Sequence, residues 1–108
     1  MIDLDSTPEN ALIVVRYGLD PAKSGFNHRA VCDWCARFWR SFYDRECEPE
    51  IERILPILSD IDAQWELYLA NTFKPKDLGE IDLEQVELPR EWFEEWVRKL
   101  EAAKHNHE

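Results

Sequence analysis

Four side chains in the first half of this 108-residue chain have the types that hold a tetrahedral zinc ion: His28, Cys32, Cys35 and Cys47. On a helix, His28, Cys32 and Cys35 fall within an arc of about 60° by the 3.6-residue period. One metal could touch all three, and Cys47 would close the site after the chain turns. The setting favours a different use. A zinc knuckle places Cys-x-x-Cys in a turn with glycine nearby and a second pair far along the chain. Here the pair sits mid-helix among Val31, Trp34 and Phe38. Free cysteine packs as a small hydrophobe, so the expectation for Cys32 and Cys35 is core, with a zinc-stabilised helical module as the alternative. A thioredoxin-like use of Cys32-Asp33-Trp34-Cys35 needs the first cysteine at a helix start just after a strand, whereas this helix opens a turn earlier. His28 reads as a capping or hydrogen-bonded histidine at the core edge rather than a base.

Asp62 is the other candidate, because it projects into the apolar side of its helix near Leu55 and Leu69. A buried carboxylate there needs a partner. The expected one is local: Ser59-Asp60-Ile61-Asp62 has capping-box spacing, with Asp62 bonding back to the Ser59 backbone. A contact to an arginine or to His28 is the alternative. No Gly-x-x-x-x-Gly-Lys, Gly-x-Gly-x-x-Gly, His-Glu-x-x-His, Gly-x-Ser-x-Gly or EF-hand loop occurs. An enzyme, or an accessory subunit of one, would rest on His28 and Asp62 alone. The expectation is a non-catalytic protein without catalytic residues or cofactor.

The elements that must position these residues read as mainly α, a single domain over 1–104 with about four helices. Ser6-Thr7-Pro8-Glu9 starts a helix over 8–17, with a buried strand through Ile13-Val14-Val15 as the alternative. A second helix, 28–47, has Asn27 as N-cap. One half of its wheel is apolar; the other carries Arg29, Asp33, Arg37, Arg40 and Asp44 at i,i+4 spacings that pair along a solvated face. A third helix, 50–71, is expected to kink or break near Pro56, and Ser59 would restart it. Residues 72–88 form a connection, and a fourth helix spans 89–104 with Glu94–Arg98 and Glu95–Lys99 pairs. Ile2-Asp3-Leu4 and Ile81-Asp82-Leu83 echo each other, which suggests a minor two-strand pairing of 2–4 with 81–83. Residues 105–108 read as a frayed tail. Of five tryptophans, Trp65 and Trp96 are expected in the core, while Trp34 and Trp92 lie at face edges.

Charge says more about partners than the motifs do. The net charge is −10, which opposes direct nucleic-acid binding, since that rests on phosphate neutralisation, and does not favour anionic membranes. Residues 16–45 hold six Arg/Lys against three Asp, and residues 46–95 hold fifteen Asp/Glu against four Arg/Lys. Solubility alone accounts for such an imbalance; docking of a basic protein partner is the functional reading. The residues assigned to it are Glu80, Asp82, Glu84, Glu87, Glu91, Trp92, Glu94 and Glu95. An inhibitor, immunity protein or antitoxin would suit this size and charge. An acidic N-terminus without an apolar signal segment and an odd number of cysteines lead to the expectation of a cytoplasmic protein. Oligomeric state is not legible.

Overall fold

The computed structural model describes residues 1–105, and within them the chain is helical without strands. Six helices follow in order: α1 (Pro8–Tyr17), α2 (Pro21–Ser24), α3 (His28–Phe42), α4 (Pro49–Thr72), α5 (Pro75–Leu78) and α6 (Arg90–His105), with a 3-10 turn at Leu83–Gln85 before α6. Residues 106–108 of the expected tail lie outside the described residues, and His105 itself closes α6.

Local chemistry sets most of the starts. The Thr7 side chain accepts from the Asn10 amide at 3.1 Å, with Pro8 opening α1. Helix, not strand, therefore wins over 8–17. The Ile13-Val14-Val15 preference is overridden because Ala11, Leu12, Val14 and Val15 bury one face of α1. Asn27 caps α3 by accepting from Ala30 N at 2.8 Å. Gly25, at φ 80°, ends α2 in the left-handed region that suits glycine.

Two boundaries differ from the sequence reading. Helix α3 stops at Phe42 rather than 47. Beyond it Asp44 turns the chain at φ 59°, and Asp44, Arg45 and Glu46 are exposed, with nothing to bury along a longer helix. Helix α4 runs through Pro56 as one element. Pro56 and Glu52, whose carbonyl loses its donor, both face solvent, while Ile54, Leu58, Ile61, Trp65 and Leu69 make an uninterrupted buried stripe on the opposite side. Packing of that stripe outweighs one missing hydrogen bond.

The suggested pairing of 2–4 with 81–83 does not form. Side chains of α3 take the carbonyls of the N-terminal segment instead: Trp34 Nε1 donates to Leu4 O at 3.0 Å and Arg37 Nη2 to Ile2 O at 3.3 Å. Residue 83 turns into the 3-10 helix, where the Asp82 carboxylate accepts from Glu84 N. Ile2 is buried, and so is Trp34, which is not at an exposed edge.

The core is one cluster drawn from α1, α3, α4 and α6, with Ile2, Val86 and Leu88 inserted from the connecting segments. Phe38 and Phe93 are its largest fully buried side chains. Gly18 lies so close to Phe93 that a Cβ there would sit 2.3 Å from two ring carbons.

Candidate functional site

His28 opens α3 and is 4% exposed. Its Nε2 lies 2.8 Å from Gly18 O, at the end of α1, and its Nδ1 lies 2.8 Å from Leu88 N, just before α6. A backbone amide can only donate, so Nδ1 is the acceptor and Nε2 carries the hydrogen given to Gly18. The ring also packs on Phe93 with centroids 4.2 Å apart. This neutral imidazole joins three parts of the chain that are 10 and 60 residues away in sequence. Burial pushes its pKa below the ordinary 6.5, opposed by the Gly18 carbonyl and by Glu87. Both ring nitrogens are in use, in keeping with the hydrogen-bonded core-edge histidine expected from the sequence.

Cys32 and Cys35 are buried on α3 and Cys47 is half-buried. Burial, first of all, pushes both buried thiols up; the Cys35 partner and the Asp62 carboxylate push Cys32 further in the same direction. Cys47 lies apart, in a shallow hollow lined by Trp39, Phe42, Tyr43, Leu55 and Pro56. Among the described residues, no three His, Cys, Asp or Glu side chains come together in a way that could hold a metal ion.

Asp62 is 9% exposed and its partners lie across the α3–α4 packing, not at the start of a helix turn. Trp39 Nε1 and Arg40 Nη2 both donate to Oδ2 at 3.0 Å. The capping-box role fails because α4 never breaks, so Ser59 is mid-helix and its amide bonds along the helix. Arg40 accordingly reaches Asp62 rather than Asp44, which has left the helix. Two residues before Asp62, on another side of α4, Asp60 accepts from Trp96 Nε1 at 3.1 Å, so two carboxylates on α4 each hold an indole from a neighbouring helix. Asp62 lines a cleft between α3 and α4 with Cys32, Arg40, Trp65 and Glu66; His28 does not line it.

The acidic candidates are mostly at the surface. Glu80, Asp82, Glu84, Glu87, Glu91 and Glu94 are exposed and Glu95 is half-buried. Arg98 pairs with Glu95, not with Glu94, and holds the Glu95 carboxyl below its usual range through a hydrogen bond and its charge. Of the other helix-face pairs, Arg37–Asp33 forms at 3.0 Å. Trp92 is half-buried, edge-on to Tyr68 at 5.9 Å and to Trp96 at 6.2 Å. Trp65 and Trp96 are buried as expected.

Sequence reasoning missed Gly18 and Leu88, the two backbone groups that fix His28. Gly18 carries a partial signal as a glycine at a helix end. A backbone amide 60 residues away carries none. No helix among the described residues is long and apolar enough to cross a membrane. No protein-family model, curated protein or solved structure matches this chain.

Proposed function

We propose that this protein is a small non-catalytic binding module that docks a basic protein through residues 80–95. The observation that carries this reading is the exposure of the acids in that stretch. Seven carboxylates face one arginine there, and among the described residues only Glu95 of the seven is in an ion pair. Carboxylates kept as internal structure would be paired or capping; of these, only Asp82 also caps. An unneutralised anionic surface speeds encounter with a cationic partner and rejects nucleic acid. Trp92 adds a half-buried aromatic of the kind that anchors interfaces. A protein that inhibits or neutralises a nucleic-acid enzyme by covering its basic cleft is the class this chemistry suits.

The test begins with untagged protein isolated gently from its own host, where native mass spectrometry identifies what is bound. Affinity for that partner is then measured from about 50 to about 500 mM salt, across which screening of exposed charge becomes severe. Affinity falls with salt, and falls at low salt in the Glu80→Gln/Glu84→Gln/Glu87→Gln/Glu91→Gln variant. An affinity indifferent to both changes refutes the reading.

A further inference from the structure

The acidic stretch is attached to the body of the protein in an unusual way. Between α5 and α6, the backbone hydrogen bonds of residues 79–89 are local: Glu80 N to Asp77 O, Gln85 N to Asp82 O and Val86 N to Leu83 O. The side-chain bond of Asp82 is local too. Among the described residues, a single hydrogen bond ties this segment to an element beyond the helices that flank it in sequence, and it runs from Leu88 N to Nδ1 of His28. Apolar anchoring comes from Val86 and Leu88, both buried, and from the half-buried Ile81 and Leu83.

We propose that His28 is an acid-sensitive latch that holds the acidic segment 79–89 against the helical body. The latch works only with a neutral ring. Nδ1 must offer a lone pair to the Leu88 amide while Nε2–H serves Gly18. A proton added at Nδ1 turns that acceptor into a donor and sets two N–H groups against each other at 2.8 Å. The charge would also sit against the Phe93 ring in a buried position. The least costly relief is separation at Leu88, because that side of the contact is a connection, whereas Gly18 belongs to the packed end of α1 under Phe93.

The groups packed on the ring leave little to hold the proton in place. The end of α1 presents the Gly18 carbonyl, α6 presents Phe93, and the connection presents Leu88 N and the carboxylate of Glu87. Glu87 is exposed and is the one charged group bearing on His28. It belongs to the released segment, so opening removes its attraction along with the hydrogen bond. The consequence for binding rests on the docking role proposed above. Docking residues Glu80, Asp82, Glu84 and Glu87 would be held in one arrangement at neutral pH and freed by mild acid.

The latch is testable without any partner, so its failure and that of the docking role read out separately. Ring ¹⁵N signals of His28 are followed by NMR from about pH 7.5 to about pH 5, distinct from those of His105 and His107. Amide exchange protection is followed in the same samples for Leu88 and for Leu58 in the core. The expected result is an Nε2–H tautomer at neutral pH and a single titration below the ordinary value. Leu88 protection falls about tenfold or more with the same midpoint, while that of Leu58 is unchanged. Leu88 protection that ignores His28 titration overturns the proposal. So does a loss shared equally by Leu58, which would mean global unfolding rather than release of one segment.

Discussion

Gly18→Ala is the substitution whose outcome the packing decides most sharply. The backbone at Gly18 is ordinary helical, φ −70° and ψ −16°, so alanine meets no conformational penalty. Reduced freedom of the unfolded chain would on its own favour alanine by about 0.4–1 kcal/mol. Against this, the new Cβ would lie 2.3 Å from Cδ1 and Cε1 of Phe93 and 3.0 Å from its Cγ. Phe93 cannot swing away cheaply. It is fully buried, tilted against His28 at 4.2 Å and edge-on to Trp96 at 5.1 Å. Forcing one carbon into such a site costs about 1–3 kcal/mol, and the contact is short enough to place this case toward the upper end. Sterics therefore win, by roughly 1.5–2.5 kcal/mol net. Urea unfolding followed by tryptophan fluorescence reads this as a lower midpoint at unchanged slope. Gly79→Ala is the matched control, since nothing lies within 4 Å of its added Cβ, and it is expected to be neutral or slightly stabilising. The double variant Gly18→Ala/Phe93→Leu should destabilise by less than the sum of its two single changes, because the smaller side chain leaves room for the new carbon. Equal stability of Gly18→Ala and Gly79→Ala would refute the close packing of α1 on α6.

Other outcomes follow from the same geometry. Asp62→Ala strips the acceptor from Trp39 and the charge from Arg40. Arg40 is 62% exposed on its side chain, so its share is small, and most of an expected cost of about 1.5–3 kcal/mol comes from the indole left unpaired. Asp62→Asn keeps an acceptor and should lose less than half as much, read by the same urea midpoints; equal losses would put the effect in the ion pair instead. Native protein should titrate about one fast thiol with a disulfide reagent, Cys47, while Cys32 and Cys35 react only on unfolding, because burial raises both. For His28 the folded pKa lies below the unfolded value of about 6.5, so the unfolded chain binds its proton first. Its contribution to stability is complete above about pH 6.5, declines toward the folded value with a slope of at most about 1.4 kcal/mol per pH unit, and levels off below it. Subtracting the His28→Gln profile from that of the natural protein isolates this term, and a difference flat between pH 7.5 and 5 would contradict it.

The long amphipathic segments were legible because their burial pattern is written at helical spacing. Trp65 and Trp96, expected in the core from the sequence, are buried there on the apolar faces of α4 and α6. What escaped the sequence was each place where a distant group replaced a local one. Ser59–Asp62 has genuine capping spacing, yet Asp62 serves Trp39 and Arg40 of α3, because a continuous helix leaves no free amide to cap. The echo of Ile2-Asp3-Leu4 in Ile81-Asp82-Leu83 is real alternation, but α3 side chains claim the carbonyls a strand would have used. Trp34 sat at the edge of its wheel and is buried all the same, since a wheel cannot show that the N-terminal segment folds over it. The burial of Cys32 and Cys35, by contrast, follows from their apolar neighbours on the helix wheel.

The distribution of indole partners bears on which tryptophans are available for binding. A buried indole needs an acceptor for its N–H. Trp34 has the Leu4 carbonyl, Trp39 has Asp62 and Trp96 has Asp60. Two of these acceptors are carboxylates on α4, so part of the acidity of residues 46–95 is structural and cannot count toward a docking surface. Removing Asp60 and Asp62 from that tally leaves the exposed acids of 80–95 as the most numerous unneutralised group, beside a shorter run at Glu46, Glu48, Glu50 and Glu52. Trp65 and Trp92 have no such acceptor among the described residues; Trp65 is buried in the core, whereas Trp92 is half-buried. Trp92 also sits in the first turn of α6, beside Glu91 and two residues before Glu94. Of the two, Trp92 is therefore the more exposed and the one embedded in the acidic stretch. Trp92→Phe should leave stability within about 0.5 kcal/mol, since edge-on contact with Tyr68 and Trp96 persists, yet weaken partner binding. A variant that loses stability but binds as before would assign Trp92 to the core and leave the carboxylates to act alone.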